Sequence, residues 1–320
     1  MRVSTNTIYE TGTNLMLQQQ EALIKIQQQV STGRRILTPS DDPISAAQAL
    51  NISQSKSINE QYSVNRTSAD SSLVLEENVL KEVTSLLHAM KESTLSAGKA
   101  LTDADRKIIA AEFRSRLESL VDLANTTDEK GQFLFSGYQA NTKPFIQTGL
   151  NVQYMGDQGQ RLNQVGPTSQ IAVSDSGIDV FERIKNGNGV FTTAANSLNM
   201  GTGVIDVGSV ITPSSLTGDN YEITFAVASG VTTYDIVNTT TGLPVSSGNT
   251  YVNNNTISFD GMQLNIKGDP ANGDKFTVSP SSNQSIFKTV SNLITALETP
   301  SSGQPGGTRF NNNLNTALQN

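Results

Sequence analysis

The chain has no cysteine, which excludes a disulfide framework and thiolate chemistry. Its single histidine, His88, lies between Leu87 and Ala89 inside a predicted long helix, so neither a His-Cys metal site nor a Ser-His-Asp triad has company nearby in sequence. Positive charge is also scarce. Lys and Arg number 22 against 29 Asp and Glu, a formal net charge of -7 with no basic block, which argues against a nucleic-acid partner because phosphate binding needs clustered cations. Long apolar runs are missing as well. No stretch approaches the roughly 20 apolar residues of a membrane span, and Met1 to Thr7 has no apolar core of a cleaved signal, so no membrane partner is expected.

At 320 residues the chain is long enough for two or three domains. From Tyr9 to Val30 the seam Met16, Gln19, Leu23, Ile26, Val30 steps by three and four, the spacing of a coiled-coil stripe that requires a partner helix. Gly33 is placed to end that helix, since glycine accepts the left-handed conformation at low cost. Ser40 or Asp41 is expected to cap the next helix, with Pro43 in its first turn and the Asp41 and Asp42 carboxylates near the positive end of the dipole. Arg34 and Arg35 precede this acidic cap, and an Arg-carboxylate contact, local or to a neighbouring subunit, would tighten the turn.

The second helix is predicted from about Pro43 to about Ser96, with Leu80, Val83, Leu87 and Met90 at alternating three and four spacing. At ~1.5 Å per residue it would be roughly 80 Å long and suggests a rod. Thr102 with Asp105 reads as a capping-box variant, and Phe113, Leu117, Leu120 and Ala124 form a further stripe, expected to fold back against the long helix.

After Gly137 the texture changes to Gly, Asn, Ser and Thr with short alternating runs. Asn151 to Tyr154, Tyr221 to Val227, Thr256 to Phe259 and Lys275 to Val278 are period-two strand candidates. Helix returns at Ser285 to Phe287 and carries through Val290, Leu293, Ile294 and Leu297, before Pro300 and the glycine-rich stretch beyond it break the pattern. A last pattern, Phe310, Leu314, Ala317 and Leu318, has about two turns available, and the chain is expected to be C-terminally truncated. The expected fold is α+β and multidomain: a long antiparallel helical rod with a terminal coiled-coil helix and an inserted, mainly antiparallel β domain. The expected divisions are 1-42 for the assembly helix and joint, 43-194 for the rod with a β-hairpin part, 195-282 for the β domain and 283-320 for the returning segment.

Candidate chemistry reduces to ordinary structure. His88 reads as a helix position, Asp269 to Asp274 as a turn lacking the ligand order of a calcium loop, and Gly187-Asn188-Gly189 and Gly201-Thr202-Gly203 as loop glycines without a nucleotide-binding frame. No catalytic, cofactor or metal residue is nominated. A carboxylate pair in the β domain is the enzymatic alternative.

The segments Ser31-Thr32-Gly33-Arg34-Arg35-Ile36 and Thr38-Pro39-Ser40-Asp41-Asp42-Pro43 resemble the N-terminal region of flagellin-like axial proteins. Gly131-Gln132-Phe133-Leu134-Phe135-Ser136-Gly137-Tyr138, continuing to Asn141-Thr142-Lys143-Pro144-Phe145, narrows the resemblance to the hook-associated branch of that family. Thr38-Pro39 before the Asp pair, where typical flagellins have an alanine-rich stretch, favours the same branch. The resemblance implies a non-enzymatic structural component of the bacterial flagellum at the hook-filament junction, secreted by the flagellar type III apparatus, which needs no cleaved signal. The partners it implies are the first hook-associated protein, flagellin, further copies of the chain in a ring and an export chaperone. On motif grounds the assembly interface would include Met16, Leu23, Ile26 and Val30 on the stripe, with Arg34, Arg35, Pro39, Ser40, Asp41 and Asp42 at the joint. Two other readings are a flagellin filament subunit and, from another class, a surface adhesin or glycan-binding β domain on an export stalk.

Overall fold

The computed structural model describes residues 5–97, 102–299 and 304–319. They divide into two compact units, Met1–Thr67 with Gln164–Gln170, and Ser68–Asn163 with Ile171–Asn320.

The first unit holds helix α1 (Thr5–Thr32) and the opening turns of helix α2 (Pro43–Ala97). From Thr13 to Thr32 the chain has neither Gly nor Pro and is rich in Gln, Leu and Ile, so nothing interrupts the helical ladder. It stops at Gly33, whose φ of 65° takes the left-handed conformation that a side chain disfavours. On α2, Asn65 donates its side-chain amide to the Gln164 carbonyl at 2.6 Å and Arg66 donates to the Val165 carbonyl at 3.1 Å, which ties the 164–170 turn into this unit.

The second unit has a helical core and a β domain. Thr102 caps helix α3 (Asp103–Ala124) with both bonds of a capping box: its hydroxyl accepts the Asp105 N–H, and the Asp105 carboxylate accepts the Thr102 N–H. The stripe Phe113, Leu117, Leu120 and Ala124 is fully buried, and α3 lies beside α2 where Glu82, Leu86 and Ala89 face Ser119 and Leu123. Helix α4 (Ile286–Glu298) adds Phe287, Val290, Leu293, Ile294 and Leu297 to the same core. Its Glu298 carboxylate takes three bonds from the Arg114 guanidinium of α3, at 2.7, 2.9 and 3.2 Å.

Helix α5 (Gln304–Gln319) starts well before the sequence pattern at Phe310. The glycine-rich stretch was expected to break helix, yet Gly306 and Gly307 are helical. Proline is tolerated in a first turn, where its missing N–H has no partner to lose, and burial of Phe310, Leu314 and Ala317 in the helical core offsets the cost of the glycines. Pro300 lies outside the described residues, as does the Leu318 side chain.

Strands β1 (Phe145–Thr148) and β2 (Asn151–Tyr154) form a hairpin, and β3 (Leu162–Gln164) and β4 (Gln170–Ala172) a second two-stranded sheet. The β domain follows with β5 (Ile184–Lys185), β6 (Phe191–Ala195), β7 (Val204–Ile205), β8 (Ser209–Val210), β9 (Tyr221–Ala228), β10 (Val231–Asn238), β11 (Leu243–Thr250), β12 (Thr256–Phe259), β13 (Met262–Lys267), β14 (Lys275–Pro280) and β15 (Asn283–Gln284). One sheet has the order β11-β10-β9-β14-β6 and another β12-β13-β7, with β8 also on β13. The pairings in both are antiparallel. Alternation along these strands sends Tyr221, Ile223, Phe225, Leu264, Ile266, Phe276 and Val278 into one core, as period-two patterning requires.

The Gly131 to Tyr138 motif builds the link between α3 and this hairpin region. Leu134 and Phe135 are buried, and Phe135 meets Phe181 edge-to-face at 5.1 Å. Phe145 completes the aromatic cluster, 4.9 Å from Phe287 and 5.3 Å from Phe181. The side-chain amide of Asn125, at the end of α3, donates to the Phe145 carbonyl and accepts its N–H, both at 2.9 Å, so it acts as a one-residue strand partner. Gly137 has a φ of 71°, and the Asp157 carboxylate behind it accepts the N–H of Tyr138 at 2.9 Å and of Gly159 at 2.7 Å. Those bonds hold its carboxyl below the usual carboxylate range.

Candidate functional site

The joint between α1 and α2 is built around two adjacent carboxylates with different tasks. Asp41 does not cap α2. Its Oδ1 takes the Lys25 ammonium from α1 at 2.6 Å, and its Oδ2 accepts the N–H of Leu37 and of Thr38, each at 3.1 Å. The Lys25 bond, followed by the two backbone donors, holds its carboxyl down at about 2. Asp42 is the cap: its Oδ1 accepts the Ser45 N–H at 3.1 Å and its Oδ2 the Ser45 hydroxyl at 2.6 Å, with Pro43 opening the helix. The Ser45 bonds lower the Asp42 carboxyl, with Arg35 adding a contact at 3.3 Å. The sequence expectation of Ser40 or Asp41 as cap is therefore corrected by one residue. The reason is steric and local: Pro43 fixes the first helical position, which puts Asp42 at the N-cap and frees Asp41 to reach back to α1.

The Ser40 hydroxyl instead meets that of Thr38 at 2.9 Å, and the Gln29 amide donates to the Arg35 carbonyl at 2.6 Å. Arg34, Arg35 and Pro39 line a groove together with Ile36, Leu37, Ala46 and Ala49. The arrangement brings Arg35, Asp41 and Asp42 into one bonded joint and adds Lys25, Gln29 and Ser45, which sequence reasoning did not nominate. Ser45 was legible as the third residue after an Asp N-cap. Lys25 was not, because no local spacing links it to Asp41.

On α1, Met16, Leu23, Ile26 and Val30 are 64%, 57%, 56% and 78% exposed. Leu15, Leu17 and Ile24 are also exposed, so the apolar surface is broader than the single seam. Exposed apolar groups at helical spacing can form a contact surface; they carry no acid-base or nucleophilic chemistry.

Elsewhere, His88 is exposed on α2. The Asp274 carboxylate is buried and accepts the N–H of Met200 and Ala271 at 2.8 Å and of Gly201 at 3.0 Å. One backbone donor from the 269–274 turn and two from the 200–201 segment thus converge on this buried acid, an arrangement suited to the carboxylate rather than to a cation. Among the described residues no group of three or more His, Cys, Asp or Glu is placed to hold a metal ion. No described helix is long and apolar enough to cross a membrane.

A long N-terminal helix, an acid-locked joint and a second long helix define the class, and residues 3–140 match the bacterial flagellin N-terminal helical region. Residues 194–280 match the D2-like domain of flagellar hook-associated protein 1. Flagellar hook-associated protein 3 of Salmonella typhimurium is 36% identical over 186 residues, 58% of this chain and 58% of that protein. Its namesake from Escherichia coli is 35% identical over 185 residues, again 58% of each. The chain thus matches about 58% of the length of these curated relatives. The crystal structure of hook-associated protein-3 from Legionella pneumophila superposes with a TM-score of 0.79 at 34% identity, covering 85% of both chains. FlgL from Xanthomonas campestris gives 0.78 at 30% identity, covering 83% of this chain and 85% of that one. The chain belongs to the flagellar hook-associated protein 3 family, with a flagellin-type N-terminal domain.

Proposed function

We propose that this chain is a structural subunit of the bacterial flagellum that joins hook to filament, with no catalytic step. The observation that carries the reading is its 34% identity and common fold, over 85% of both chains, with hook-associated protein-3 of Legionella pneumophila. The apolar side chains exposed along α1 support a docking role, since such a surface is stabilised when a partner helix covers it. In this reading the subunit is exported through the flagellar type III apparatus with a chaperone and assembles as a ring of its own copies. The ring sits between the first hook-associated protein and flagellin. Met16, Leu23, Ile26 and Val30 enter a coiled-coil contact, and Arg34, Arg35, Pro39, Ser40, Asp41 and Asp42 form the joint that transmits load between the docked helix and the rest of the subunit.

Deletion of the gene, followed by electron microscopy of the cells and assay of flagellin in the medium, tests it. Hooks without filaments and flagellin released outside are expected. Normal filaments would overturn the junction role, and bare hooks with no flagellin anywhere would point to the filament subunit.

A further inference from the structure

We propose that α5 is a strap that latches the β domain to the helical core, with Asn312 as its latch. Two sides of α5 carry the two ends of this link. Phe310, Leu314 and Ala317 are buried in the helical core, where the Arg106 guanidinium of α3 lies 4.4 Å from the centre of the Phe310 ring. Asn312, 4% exposed, reaches the β domain instead. Its side-chain amide donates to the Gly203 carbonyl at 2.9 Å, and its side-chain oxygen accepts the Ile205 N–H at 3.3 Å.

Those two backbone groups belong to or adjoin β7, which ends the sheet β12-β13-β7. Strand β6, also packed against α5, ends the five-stranded sheet. Open strand edges present unpaired backbone groups that pair with other chains unless they are covered. The strap therefore does two things with one side chain: it satisfies edge groups of β7 in a buried place where water cannot, and it ties the β domain to the core through a contact other than the covalent connection. An amide is the side chain that suits this position, because it offers one donor and one acceptor to a carbonyl and an N–H two residues apart.

The test is amide hydrogen exchange of the full chain carrying Asn312→Ala, with Asn311→Ala and Asn313→Ala as controls. The control positions are exposed on the same helix and gain the same helix propensity. Exchange at Ile205 is expected to rise roughly tenfold in Asn312→Ala, the equivalent of one to two net hydrogen bonds, while Ile223 in the middle of the β core stays unchanged. Equal Ile205 exchange in all three variants would overturn the latch. So would a rise spread evenly over Ile205 and Ile223, which would make Asn312 a general stability residue.

Discussion

Asp41 and Lys25 are sixteen residues apart in sequence and 2.6 Å apart in space, and their ion pair pins the end of α1 to the turn that opens α2. The same carboxylate also receives two backbone N–H groups of that turn. One side chain therefore organises the loop and anchors it to α1.

The Asp41 carboxyl should titrate at about 2. Because its folded value is depressed below the ordinary 3.8, its contribution to the joint is present above the ordinary value and is lost as pH falls through about 2. Carbon-detected NMR titration of the side-chain carboxyl reads this directly. Lys25→Ala should move the midpoint upward; a midpoint near 4 in the native chain would refute the pairing.

Glu76 behaves in the opposite sense. Burial on α2, with the Asp175 carboxylate nearby, raises its pKa above 4.5. A raised folded value means that its contribution is fully present below the ordinary glutamate range and is lost as pH rises through the folded value. Glu76→Gln keeps an acceptor for the Asp175 N–H and removes the charge. Its urea midpoint should exceed that of the native chain at pH 7, with the gap closing by pH 4. An unchanged midpoint at pH 7 would count against a buried, strained carboxylate.

Gly137 and Gly131 share a positive φ, 71° and 74°, but a Cβ at Gly137 would sit 2.1 Å from Asp157 Oδ1 and 2.6 Å from the Asp157 carbonyl, whereas Gly131 faces open space. Gly131→Ala should cost about 1 kcal/mol through backbone strain alone. Gly137→Ala should cost roughly 3 kcal/mol, because the carbonyl cannot yield as a side chain can. Equilibrium urea unfolding compares the two, and equal losses would show that the Asp157 contact adds nothing.

Ile26→Lys with Val30→Lys should leave the unfolding free energy of the isolated chain within about 0.5 kcal/mol, since both side chains are exposed and cations suit the C-terminal end of a helix. The same change should abolish the proposed assembly into a ring, with electron microscopy of the purified chain as the readout. Amide exchange along α1 is expected to be fast in the monomer and slowed on assembly. Strong protection of α1 in the monomer would mean that the stripe already has a partner.

The helices were largely legible because their signals are local. The three-and-four spacing of Phe113, Leu117, Leu120 and Ala124, the Thr102 and Asp105 box and the terminating Gly33 each act over a few residues, and each reappears in the structure. Strand positions such as Asn151 to Tyr154 were legible by alternation. The Asp42 cap was missed by one residue, since several polar residues compete before Pro43 and only the bond to Ser45 decides among them. The start of α5 was missed because glycine and proline argue locally against helix, and the burial that outweighs them comes from distant residues.

Sequence by itself determined the periodicities, the absence of cysteine, the acidic joint and the motif resemblance, all of which depend on residue type and short spacing. Tertiary structure alone decided which carboxylate would meet Lys25, that Asn125 would stand in for a strand beside Phe145, and that Asn312 would close the edge of β7. These contacts join residues from 16 to 109 positions apart. No local pattern encodes them: a hydrogen bond depends on where the fold brings a donor and an acceptor together.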